Sequence, residues 1–162
     1  AKGYFADPHN INGLNKVANT DLFIMRGVIE HLIDPWKTLS QVLEDLHPKY
    51  CLISATPNGN SIAYSLFKSE WQMHVPIGHL WQFSPRHIIE MLAASNYVVI
   101  NFDFQYLEGP YVDLISDSLA IHNKCKDLAE NRKSSNACPP FFDSMMSLFA
   151  VRRDAISSKL RS

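Results

Sequence analysis

Between Asp21 and Pro35 the chain reads DLFIMRGVIEHLIDP. Leu22, Phe23, Ile24 and Met25 form a short apolar run without alternation, the pattern of a strand buried on both faces. Arg26 and Gly27 break the run, Glu30 and His31 follow, and Val28 to Leu32 suits a turn of helix. Asp34 then serves as an N-cap with Pro35 as the first helical residue. Leu39, Val42, Leu43 and Leu46 recur at helical spacing, so one face of this helix is apolar, and His47-Pro48 ends it. Cys51 to Ala55 is a second buried strand, and a helical crossover between two such strands is right-handed and parallel. Thr56-Pro57-Asn58-Gly59 is a tight turn at its carboxyl end.

Ser61 to Phe67 reads as a short helix with Ile62, Leu66 and Phe67 inward. Trp71 to Phe83 has no clean period and is dense in Trp, His, Met, Pro and Phe, as a binding wall or a packed lid would be. Ser84-Pro85 opens another helix with Ile88, Ile89 and Leu92 on its face. Tyr97 to Phe104 alternates as a half-exposed strand, with Val98, Ile100, Phe102 and Phe104 on one side. Val112 to about Arg132 is a helix with Ile115, Leu119 and His122 on one stripe, and residues 131–140 are loop. Ser147 to Val151 is a last strand before a polar tail. Gly3 to Ala6 is a short apolar piece ahead of Asp7-Pro8, the end of a strand entering a loop.

Three stretches in order carry a resemblance: Asp21–Pro35, Leu46–Asn58 and Gly78–Pro85 (GHLWQFSP). Together they resemble class I S-adenosylmethionine-dependent methyltransferases, nearest the group of ubiquinone-biosynthesis and other small-molecule methyltransferases. The resemblance runs from about Gly3 to Arg152. It implies an α/β fold: a partial Rossmann-like sheet of parallel strands with helices on both faces, closed by a carboxyl-terminal antiparallel hairpin. Gly3–Ala6 becomes the third strand, Asp21–Met25 the fourth, and the last strand inserts beside the fifth. Residues 1–154 form the partial domain, with a mostly helical insertion at about 108–142 and a polar tail at 155–162.

The same resemblance implies S-adenosylmethionine as cofactor. It places Met25, Arg26, Gly27 and Val28 against the methionine portion and Asp7 against the adenine, although an Asp-Pro turn also explains Asp7. Gly27 would let backbone approach a ligand closely. Glu30 and His31 are the catalytic candidates, since an imidazole titrates near neutrality and can take a proton from an acceptor; helix-start chemistry explains the same pair. Trp71, His79, Trp81 and Asn58 are candidates for the acceptor pocket, with core packing and helix capping as their other readings. In ubiquinone-type relatives an acid three positions before the Glu-His pair helps hold a divalent metal. Position 27 is Gly here, and His74, His79 and His87 lack a ligand spacing, so no metal is expected.

The family also implies a Gly-rich E/D-x-G-x-G loop upstream, and none of the six glycines makes a G-x-G. With Ala as the first residue, this points to a fragment of a longer methyltransferase. A non-catalytic half-domain acting in protein interaction is the alternative, with an exposed sheet edge that invites a homodimer.

Composition adds limits. The 162 residues suit one domain. Fifteen basic and sixteen acidic residues leave a net charge of −1, which draws neither nucleic acid nor an acidic membrane. No apolar run is long enough to span a bilayer. Three cysteines without metal spacing suit the reducing cytoplasm. The expected partner is therefore a small-molecule acceptor. Hydrolase, P-loop, redox and nucleic-acid motifs are absent from the sequence.

Overall fold

A computed structural model of the chain describes residues 20–106, 112–133 and 142–159. The expected third strand at Gly3–Ala6 and the adenine candidate Asp7 lie outside the described residues.

Strand β1 is Leu22–Arg26. A 3-10 turn at Ile29–His31 follows it, and helix α1, Pro35–Leu46, then leads to β2, Tyr50–Pro57. Helix α2 is Ile62–Phe67, α3 is Pro85–Ala94, and β3 is Tyr97–Asp103. Helix α4 is Leu114–Ala129, β4 is Met145–Arg152, and α5 is Arg153–Lys159. The polar tail therefore begins as helix, running straight on from β4. No helix among the described residues is long and apolar enough to cross a membrane.

The described sheet has the order β1-β2-β4-β3. β1 and β2 are parallel, with Leu22 opposite Tyr50 and Arg26 opposite Ser54. β4 inserts antiparallel between β2 and β3. This is the arrangement expected at the carboxyl-terminal side of the fold: a helical crossover, then a last strand beside its predecessor.

Local chemistry explains the crossover. The Asp34 side chain accepts from the amide of Lys37 at 3.0 Å, and Pro35 opens α1. His47 closes the helix in the left-handed conformation, φ 49°, with its amide bonded to the Leu43 carbonyl. Leu39, Val42, Leu43 and Leu46 are all buried. The main core joins Met25, Ile29, Leu32, Leu39 and Leu43 to Cys51 and Ile53 of β2, Ile88, Met91 and Leu92 of α3, and Met146, Leu148 and Ala150 of β4.

Several faces differ from the sequence reading. β1, expected to be buried on both faces, leaves Leu22 and Ile24 exposed, and β3 turns Tyr97 and Val99 to the core while Ile100, Phe102 and, just after it, Phe104 are exposed. Ile89 and Ile62 point outward, 42% and 51% exposed; Met91 packs inward on α3, and Ala63 with Phe67 on α2. The larger difference is α4. Its expected stripe is turned to solvent, with Ile115 75% and Leu119 56% exposed. The buried side carries Asp117 and Lys124 instead, with Ile121 half-buried between them. Tyr106 donates its hydroxyl to Asp117 at 2.6 Å, and Lys124 pairs with Glu70 at 2.8 Å and lies over the Phe67 ring. Polar partners on neighbouring segments, invisible to an apolar count, decide the face.

Tyr97 locks α3–β3 to the end of α1. It is 2% exposed and donates to the buried Pro48 carbonyl at 2.5 Å, and burial pushes its hydroxyl up to about 12. Tyr97→Phe leaves that carbonyl without its donor and should cost ~1–3 kcal/mol. Thermal unfolding of the variant should begin several degrees lower. The Cys51 thiol is fully buried in the central strand, and burial pushes it up to about 12. A thiol-alkylating reagent should therefore modify exposed Cys125 in the native chain and reach Cys51 after denaturation, as peptide mass spectrometry would show.

Candidate active site

β1 ends at its carboxyl tip in a left-handed glycine. Gly27 has φ +57°, and its amide donates to the Ser54 carbonyl of β2 at 2.9 Å. That hydrogen bond continues the parallel ladder by one residue while the chain turns away. Beside it, the β2–β4 register shifts between Ile53 and Thr56, and Ala55 also takes a positive φ, 52°. Such irregularities at a strand end splay neighbouring strands and re-aim the chain. A Cβ placed on Gly27 would meet only the Ala55 carbonyl oxygen and Glu30 Oε1, both at 3.8 Å. Among the described residues these are ordinary contacts, so the torsion rather than crowding selects glycine.

The 3-10 turn that follows packs Ile29 into the core and tucks the Glu30 side chain, 3% exposed, beneath the turn. Glu30 Oε2 has no hydrogen-bond partner among the described residues, and Oε1 lies 3.8 Å from His31 Nε2. Burial raises the Glu30 carboxyl above its usual range, opposed by its own backbone amide and then by the nearby His31 and His79 rings. His31 is 42% exposed and shares 2.7 Å between Nδ1 and the Gly78 carbonyl. A carbonyl only accepts, so Nδ1 carries the hydrogen and Nε2 keeps its lone pair.

The aromatic segment Trp71 to Phe83 is laid across this turn by backbone hydrogen bonds. Glu30 O accepts from Leu80 N at 2.8 Å and Trp81 N at 3.3 Å, and Trp81 Nε1 donates to Leu32 O at 2.8 Å. His79 arrives beside His31, with ring centroids 4.8 Å apart and edge-on. Its Nδ1 sits 2.7 Å from the Met73 carbonyl, which fixes the same tautomer as in His31.

The fold thus brings Gly27, Glu30, His31, His79 and Trp81 to one place. Arg26 is exposed at the strand tip, Val28 is half-buried against the core, and the Met25 side chain is a core residue, so Met25 offers a ligand its backbone alone. Two acceptor-pocket candidates are not part of this group. Trp71 is 2% exposed and packs with Ala63 and Phe67 in a second small core, because the segment before it folds back on α2. Asn58 is buried, and its amide is consumed by backbone: Oδ1 accepts from Asn60 N, and Nδ2 donates to Asp143 O. Asp143 in turn takes the Ile62 amide with both oxygens, holding the start of α2. Helix α2 is capped by Ser61, not by Asn58. His87 is engaged at the start of α3, accepting from Ser84 N at 3.1 Å.

Sequence reasoning treated the Glu30-His31 pair and the later histidines as separate groups. No local spacing joins them, since the link is the Glu30 carbonyl reaching another segment.

Residues 4–101 match the model of the methyltransferase domain family. The chain belongs to that family. This agrees with the class I resemblance of its motifs. No curated protein matches the chain. Among solved structures, it is similar to magnesium protoporphyrin IX methyltransferase (ChlM) from Synechocystis PCC 6803, with bound SAH, at TM-score 0.47 and 14% identity. That match covers 86% of this chain and 48% of the other. It is also similar to the small RNA methyltransferase HEN1, at TM-score 0.50 and 16% identity, over 86% of this chain and 15% of that one. The chain thus spans about half the length of the first of these structures and a smaller share of the second.

Gly27→Ala should destabilise the chain by ~1–2 kcal/mol, the cost of a left-handed L-residue, since no atom crowds the new methyl group. Denaturant melts of the two proteins measure it. A loss well beyond that range would mean the turn cannot keep its shape.

Proposed function

We propose that the chain is part of an S-adenosylmethionine-dependent methyltransferase that acts on a small-molecule acceptor in the cytoplasm. The carrying observation is the left-handed Gly27 turn at the carboxyl tip of β1, within a chain that belongs to the methyltransferase domain family. In open α/β sheets, ligands lie outside the carboxyl ends of the strands.

The residues present fit one end of the cofactor. The bare backbone at Gly27 is a surface that a ligand can approach closely, flanked by Arg26 and Val28. The cofactor supplies a methyl carbon activated by a sulfonium. Asp7 is assigned to its adenine on the family resemblance. Glu30 and His31 take the acceptor side. Held on the Gly78 carbonyl, His31 presents Nε2 as a proton-accepting lone pair, with Glu30 Oε1 3.8 Å away. His79 and half-exposed Trp81 form the neighbouring wall and hold the acceptor in place. A small acceptor is supported by the net charge of −1, which offers no attraction to a phosphate backbone. Free Cys51 and Cys125 suit a reducing compartment.

The Gly-rich loop of the family has no counterpart among the six glycines. We assign it to another part of a longer protein. The 162-residue chain should then bind S-adenosylhomocysteine weakly or not at all, and a protein extended upstream in the same gene should bind it stoichiometrically. Calorimetric titration of both decides. Tight binding by the short chain would overturn the fragment reading. Binding by neither would overturn the enzyme reading in favour of a non-catalytic half-domain paired through the β1 edge, where Leu22 and Ile24 are 44% and 54% exposed.

A further inference from the structure

We propose that Trp81 is a stacking platform for the methyl acceptor, which carries a ring and lays a flat, apolar face of it on the exposed indole. The identity of the occupant as the acceptor rests on the methyltransferase reading. The platform itself rests on how the indole is anchored.

Trp81 is held at both ends. Its amide donates to Glu30 O at 3.3 Å, and its Nε1 donates to Leu32 O at 2.8 Å. These two carbonyls bracket His31 in the chain, so the indole runs along the turn that carries the imidazole. Phe83 backs the ring. It is a buried core residue, and its ring lies 6.3 Å from that of Trp81 at an interplanar angle of 23°, an offset stack. With its N–H satisfied and a core ring behind it, the indole lacks nothing that burial needs, yet 45% of Trp81 is exposed. The same segment buries its other tryptophan, Trp71, in the small core. An aromatic surface fixed in this way is already ordered before a ligand arrives, so binding costs little further side-chain entropy.

The surroundings extend the apolar surface. Ile33, Ile77 and Leu80 are exposed, Ile77 at 98%. Each belongs to this corner by its place in the chain. Ile33 follows Leu32, whose carbonyl holds the indole, and Ile77 precedes Gly78, whose carbonyl holds His31. Leu80 donates its own amide to Glu30 O. Exposed apolar side chains grouped beside a polar site mark a binding surface rather than the scattered exposure of an ordinary surface. Stacking contacts the face of a ring and is indifferent to the groups on its edge, which leaves His31 and His79 to meet those groups. Two kinds of molecule present such a face, a conjugated ring and the C–H side of a pyranose. The platform recognises what they share.

The test needs no methylation assay. The 162-residue chain is titrated with 2-naphthol, methyl β-D-glucopyranoside and 1-hexanol while the indole and imidazole 15N NMR signals are followed. At least one of the two ring compounds should bind saturably, at about millimolar strength, with the largest shifts at Trp81 and His31. Which of the two binds sorts conjugated rings from sugars. 1-Hexanol has apolar carbon but no ring face, and it should bind at least roughly fivefold more weakly. Trp81→Ala should weaken the ring compound about tenfold. Trp81→Phe keeps a flat face and should lose less, and Trp36→Phe should lose nothing. The shifts are read on the unaltered protein, so a variant that fails to fold does not obscure the answer. Shifts centred on Trp36 or Trp71, 1-hexanol binding as tightly as the rings, or no saturable binding by either ring overturns the proposal. No ring binding, with S-adenosylhomocysteine bound by the longer protein, would remove the platform and leave the methyltransferase reading intact.

Discussion

The carbonyl of Glu30 accepts amides from both Leu80 and Trp81, far downstream in the chain. A carbonyl has two lone pairs, and here both are used to seat one segment on another. Without these contacts the aromatic segment would lie over α2 with no fixed relation to the tip of β1. With them, His79 stands beside His31 and the Trp81 indole reaches Leu32 O. The candidate site is therefore built on main-chain hydrogen bonds, which hold position better than side-chain packing alone. The Glu30 side chain is buried by the same arrangement, and its raised carboxyl is the electrostatic consequence.

The sheet supplies the platform. β2 is flanked by a parallel neighbour and an antiparallel one, and it carries the bulge beside the Gly27 turn. A regular ladder at that point would continue β1 past the site. The positive φ at Gly27 and Ala55 ends the regular pairing where the polar residues begin. The β4 side of the sheet has a different task. Ser144 O and Asp143 bind Asn58 and the start of α2, so the return to the last strand braces the turn after β2. Asn58 acts through that brace, with Oδ1 and Nδ2 each bonded to backbone.

Local patterns were legible where they were strong. The N-cap and proline of α1, its apolar face and the buried Cys51 strand depend on backbone chemistry and side-chain period, and both are written in adjacent residues. The motifs of Asp21–Pro35 and Gly78–Pro85 pointed to the methyltransferase family, and the family match bears that out. Faces were less legible. Ile62 and Ile89 have apolar side chains at plausible spacing, yet a short helix offers several such stripes, and its neighbours choose among them. In α4 the choice fell on Asp117 and Lys124, whose partners Tyr106 and Glu70 lie on separate segments.

The sequence by itself determined the order of β1, α1, β2, α2, α3, β3, α4 and β4, the caps of α1 and α3, and the kinship of the chain, because each is set by residues close to one another. Tertiary structure alone decided that Glu30, His31 and His79 share one site, that Trp71 belongs to a core, and that the outward stripe of α4 is its apolar one. These depend on which distant groups meet. A hydrogen bond such as that from Leu80 N to Glu30 O leaves no periodic trace in a sequence, because a backbone amide can bond any carbonyl the fold brings near.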